Sequence, residues 1–135
     1  MSEGAGGVYF PVRAGFCRDR AARALRRAHG WSGMGRYVGL LCMLLEEPGH
    51  VLDVSTADGL ADLAEQWGCA ADEAASLLSD MASAGLVDPD GLGDGVVRAE
   101  AVEESIRARD EFSERMRAAG RKGAEARWGR KKAGP

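Results

Sequence analysis

The 135-residue chain has only three cysteines, 6 % aromatic residues, no asparagine and no long apolar run, and each scarcity narrows what it can be. Cys17, Cys42 and Cys69 are odd in number and widely spaced, with no CxxC pair. They fit reduced thiols in a cytosolic protein, not a disulfide framework. Together with His29 and His50 they offer no two ligands at zinc spacing, so no metal is expected. Cys42 and Cys69 lie in apolar contexts and are expected in the core. The longest apolar run, Tyr37–Leu45, is far short of the roughly 20 residues a membrane helix needs. MSEGAGG lacks a basic region followed by an apolar stretch, so secretion is not expected. The expected location is cytoplasmic, with no membrane partner. H-E-x-x-H and G-x-S-x-G are absent, and the glycine-rich PDGLGDG is acidic, a poor phosphate cradle. No enzymatic activity and no cofactor are expected. The missing asparagine, with arginine dominating the cations, fits a high-GC coding bias, so arginine over lysine carries no functional weight.

What is present is charge, strongly sorted. The net charge of −3 hides three unlike blocks. Residues 1–36 hold seven basic and two acidic side chains, residues 37–114 three basic and eighteen acidic, and residues 115–135 eight basic and one acidic. Basic ends flank an acidic middle, and the whole-chain charge is a poor guide to partners.

The periodicity predicts a mainly α protein. VYFPV (Val8–Val12), broken by Pro11, suits an edge strand or an extended segment packed on the core. A helix from about Arg18 to Gly30 sets Ala21, Leu25 and Ala28 inward, and Arg20, Arg23, Arg26 and Arg27 outward. A central apolar helix follows from about Gly35 to Glu47, stopped by Pro48 and Gly49. VLDV (Val51–Val54) alternates as a short strand. Ser55 and Thr56, with Asp58, offer caps for a helix to about Trp67. A turn at Gly68–Ala70 leads to a further helix closed by Gly85. LVD, PDGLGDG and VVR then suggest a β-hairpin, and a long helix from Glu100 to Ala119 carries Val102, Ile106, Phe112 and Met116 as its stripe. That order is a winged helix-turn-helix with an N-terminal helical extension, a small β-hairpin wing and a long C-terminal helix over residues 1–119. Residues 120–135 are expected as a basic, flexible tail.

Within LADLAEQWGCAADEAASLL, small and apolar residues fall where a tight two-helix corner needs them. Leu63, Ala64 and Trp67 face the core, Gly68 permits the turn, and Cys69, Ala74 and Leu77 continue the buried side. The exposed side is the difficulty. A DNA-reading helix needs cations and donors toward phosphates and base edges. This one offers Asp72, Glu73 and Asp80, with Asp88, Asp90 and Asp94 on the wing. Nucleic-acid binding therefore shifts to the ends: to Arg20, Arg23, Arg26 and Arg27, and to Arg115, Arg117, Arg121, Lys122, Arg127, Arg130, Lys131 and Lys132. Trp128 among the latter is available to stack on an unpaired base. For the first helix, a solvated face or pairing in cis with the acidic middle explains the same arginines.

YFP at Tyr9–Pro11, Asp19 ahead of LRRAHG (Leu25–Gly30), SGMGRYVGLLCMLLEE (Ser32–Glu47), GLVD (Gly85–Asp88) and AGRKGAEARWG (Ala119–Gly129) occur in a telling order. With them the chain resembles the N-terminal winged-helix domain of phage and prophage replication-initiation proteins, a domain-of-unknown-function family often joined to DnaD-like segments. The resemblance implies a mobile-element origin and a role in replication initiation or its control. The sequence thus leads first to non-specific DNA binding through the basic ends. A second reading is a phage-encoded interaction module or inhibitor, whose acidic surface (Asp72, Glu73, Asp80, Asp88, Asp90, Asp94) mimics DNA toward a host nucleic-acid-handling protein. A third is a homodimer paired through its long C-terminal helix.

Overall fold

The computed structural model describes residues 10–133, with side chains as far as residue 129. The described chain is mainly helical, with one two-stranded antiparallel pair. Its contacts divide into a first compact unit ending at Glu103 and a second beginning at Glu104.

Phe10–Arg13 have no regular structure and Val12 is exposed, so the expected edge strand is not formed there; Val8 and Tyr9 lie outside the described residues. A 3-10 turn at Ala14–Arg18 follows, and its Phe16 supplies the aromatic anchor by stacking on Tyr37 with ring centroids 5.8 Å apart. Helix α1 spans Arg20–Glu46 and is broken at Gly30 (φ 70°, ψ −164°), a backbone conformation closed to residues with a Cβ. The first segment ends where expected, but the second resumes at Trp31, ahead of Gly35. Ala22 and Leu25 are buried in the first segment while Ala28 is exposed, so the inward face differs from the Ala21, Leu25, Ala28 stripe. Alanines bury little area, and Leu25 alone sets the direction.

The second segment buries Met34, Tyr37, Leu40, Leu41, Leu44 and Leu45. Each fully buried leucine contributes about 2 kcal/mol over an exposed one, making this segment the centre of the core. Cys42 projects on the side away from that stripe and is exposed, and Cys69 is half-buried, so neither is the core thiol that its apolar context suggested.

Strand β1 (Leu52–Asp53) pairs antiparallel with β2 (Val96–Val97), Leu52 opposite Val97 and Asp53 opposite Val96. Between them α2 (Ala57–Trp67) is capped by the Thr56 hydroxyl, which accepts from the Gly59 N–H. Ser55 is engaged elsewhere, donating from both its hydroxyl and its backbone N–H to Asp53. Gly68, with φ 72°, ends α2 and opens the turn to α3 (Ala71–Ser83). Leu63, Ala64, Trp67, Ala74 and Leu77 are buried at this corner as their spacing requires. The Trp67 Nε1–H donates to the Arg36 carbonyl at 3.0 Å, satisfying the one polar atom of a buried indole. Helix α3 packs against both α1 and α2.

PDGLGDG does not form a hairpin tip. Asp88 accepts from the Gly91 N–H and Pro89 occupies the first turn, so Pro89–Gly93 coil into a short helix, α4. An Asp cap followed by Pro is a helix-start signal that outcompetes the glycine-rich turn. The flanking arms still meet, the Asp88 N–H donating to the Arg98 carbonyl at 2.9 Å. The strand of this region that pairs regularly is β2, and its partner is β1.

Helix α5 runs from Glu100 to Ala133, past the expected end at Ala119 and through Gly120, Gly123 and Gly129. Each glycine costs about 1 kcal/mol against alanine, but Ala, Arg, Lys and Glu fill the turns between them and no proline intervenes before Ala133. Val102 is buried in the first unit. In the second unit Phe112 and Met116 are 56 % and 57 % exposed, so the predicted stripe does not continue as a buried one.

Candidate nucleic-acid interface

The first segment of α1 contains no carboxylate from Arg20 to Gly30. With Leu25 directed inward, residues at i, i+3, i+4 and i+7 from Arg20 share the outer face. Arg20, Arg23, Ala24 and Arg27 line one shallow depression there, and the three arginines are exposed. Arg26 lies beside them, half-buried, its guanidinium 5.1 Å from the centre of the Trp31 ring. Trp31 itself is 65 % exposed. Sequence reasoning missed it because its position depends on the break at Gly30, across which helical periodicity carries no information.

The acidic residues form a different picture. Asp72, Glu73 and Asp80 are exposed along α3, as expected, but two of these carboxylates are engaged by α1. The Arg36 guanidinium donates to Glu73 at 2.7 Å, and the His29 Nε2–H to Asp80 at 2.6 Å. Asp72 accepts from the Glu73 N–H within the first turn, where its charge also complements the helix dipole. Asp88 is occupied as the cap of α4, while Asp90 and Asp94 are exposed around that short helix. Among the described residues, pairing in cis with the acidic middle therefore occurs through His29 and Arg36, not through the arginine row. No local signal foretells these pairs, which span 51 and 37 residues of sequence. Asp53, outside both sets, has its carboxyl held below the usual range by the Ser55 hydroxyl and backbone N–H.

A second depression, beside α4, is lined by Asp88, Arg98, Glu100 and Glu103 among others. Its preponderance of carboxylates opposes phosphate. Among the described residues no group of three His, Cys, Asp or Glu is placed to hold a metal, and no helix is long and apolar enough to cross a membrane.

On α5 the side chains of Arg115, Arg117, Arg121, Lys122 and Arg127 are exposed, and Trp128 is 64 % exposed. Arg117 pairs with Glu114 one turn earlier. The side chains of Arg130, Lys131 and Lys132 lie outside the described residues. The expected basic sets thus occupy two helices, one in each unit. On a 100° wheel the α5 cations surround the helix, whereas those of α1 share a face. Comparison with known proteins returned no matching family model, curated protein or solved structure.

Proposed function

We propose that this protein is a non-enzymatic, winged helix-turn-helix DNA-binding protein that engages the phosphate backbone through the α1 arginine face and the basic half of α5. The carrying observation is how the charges are spent. Glu73, Asp80 and Asp88 are occupied within the fold, whereas Arg20, Arg23 and Arg27 stand exposed on a helix segment without a carboxylate. The same observation weighs against a DNA-mimic surface, which needs those charges unpaired: Glu73 and Asp80, though exposed, are met by Arg36 and His29. The element order supports the winged-helix reading: a strand after the central helix, two helices joined by a glycine turn, and a later strand returning to pair with the first. Binding of this kind is non-specific and salt-dependent. Together with the likeness of its motifs to phage and prophage initiators, it points to a cytoplasmic role in replication initiation or its control.

The test is duplex binding across a salt series for the intact protein, the triple variant R20A/R23A/R27A and a truncation before Arg115. Each alteration is expected to weaken binding. Three lost phosphate contacts should flatten the log–log salt slope by about 3. Affinity and slope unchanged in both variants would overturn the proposal.

A further inference from the structure

We infer that the α1 face carries a site for an unpaired base, with Trp31 as the stacking platform and Arg20, Arg23 and Arg27 as the phosphate track beside it, so that single-stranded DNA is its preferred ligand. The choice of DNA as the polymer rests on the function proposed above; the preference for an unpaired strand comes from the geometry of this face. Gly30, at φ 70°, breaks the helix, and the chain re-enters it at Trp31, whose ring lies against Arg26 of the preceding turn. Its indole meets Arg26, whose guanidinium stands 5.1 Å from the ring centre, yet remains 65 % exposed. The largest apolar side chain available is thus left in solvent beside a core that buries Trp67 to 9 % exposure.

An aromatic ring backed by a guanidinium and open to water is suited to stacking on a base, and the cation–π contact holds the indole in place beforehand. Arg20 and Arg27 are two helical turns apart, about 10 Å, with Arg23 between them. They lie on the same helix segment as Arg26, so a strand whose base rests on Trp31 can lay its next phosphates against the charged ends of this exposed arginine row. The depression between them is lined mostly by apolar atoms, so the charged ends of the three exposed arginines, not its floor, are what a phosphate would meet. A duplex fits this face less well. Its bases are already stacked on one another, and an indole gains a base only by pulling one out. Phosphates alone would need the arginines and have no use for Trp31.

The experiment compares oligothymidylate of about 12 nucleotides with a blunt duplex, using the intact protein, W31A, W31F, W128A and R20A/R23A/R27A. W31A should bind oligothymidylate roughly tenfold more weakly while its duplex affinity changes by less than about twofold. W31F should recover most of the loss, since a smaller ring still stacks. Trp31 is exposed, so the thermal midpoint of W31A should match that of the intact protein. Undiminished oligothymidylate binding by W31A, or a loss confined to W128A, would overturn the Trp31 site even while the triple arginine variant weakens both ligands. Tighter binding of an oligouridylate than of the oligothymidylate would overturn the choice of DNA. Failure of the underlying reading looks different: neither ligand would bind with salt dependence, and the arginine variant would match the intact protein.

Discussion

Gly95 shows how much a single residue decides in this fold. Its φ is 79°, and a Cβ built there would stand 2.5 Å from the Ser55 Cβ and 2.7 Å from the Ser55 Cα. That close approach lets Val54 donate to the Gly95 carbonyl at 2.8 Å and extends the β1–β2 pairing by one bond. Gly95→Ala combines a strained φ with a backbone clash and is expected to cost about 2 kcal/mol or more. Gly93→Ala, two residues earlier, meets open space and should be neutral or slightly stabilising. Urea unfolding midpoints of the two variants check this, and equal midpoints would refute the close-approach account. At this scale the sequence was partly legible. Gly95 stood out as a turn residue, but its neighbour Ser55 is forty positions away in the chain, beyond any local pattern.

At the scale of elements, α5 departs furthest from expectation. Three glycines and a run of cations read as a tail, because each lowers helix propensity and like charges repel. The helix nevertheless extends to Ala133. Removing residues from Arg115 onward should therefore take a corresponding amount of far-ultraviolet helical signal per molecule with it. A loss no larger than random coil would produce counts against the continuous helix. Where pattern and packing agree, the sequence was sufficient: Leu63, Trp67, Ala74 and Leu77 are all buried at the α2–α3 corner. It failed where two local signals competed. Asp88-Pro89 at the start of PDGLGDG favours a helix and the glycines that follow favour a turn, and the cap prevailed. It failed also in the stripe of α5, for a heptad-like pattern states which residues could be buried together without stating that anything covers them. Phe112 and Met116 are exposed.

For the whole molecule, stability depends on a core that holds Tyr37 at 2 % exposure, its ring stacked on Phe16. Burial raises its phenol from 10.0 to about 12. The neutral form is the one the folded state retains, whereas the unfolded chain ionises at the ordinary value. The contribution of this group is thus complete below pH 10 and is lost progressively as pH rises toward 12. Tyr37→Phe lacks this loss. The gap in urea midpoint between intact protein and variant should move in favour of the variant between about pH 9 and about pH 11. A gap that does not change with pH would mean that Tyr37 ionises as freely in the fold as outside it.

Composition and periodicity alone determined the helical class, the glycine-turned α2–α3 corner and the three charge blocks, because these follow from residue type and short-range spacing. Tertiary structure decided which charges remain for a partner. His29 and Arg36 reach Asp80 and Glu73 only because α1 packs on α3, and that packing engages part of the acidic face while Arg20, Arg23 and Arg27 stay in solvent. It also set Trp31 against Arg26 across the break at Gly30. Charge in a sequence is a sum over residues, whereas the field a ligand meets depends on which opposite charges the fold has already brought within hydrogen-bonding distance.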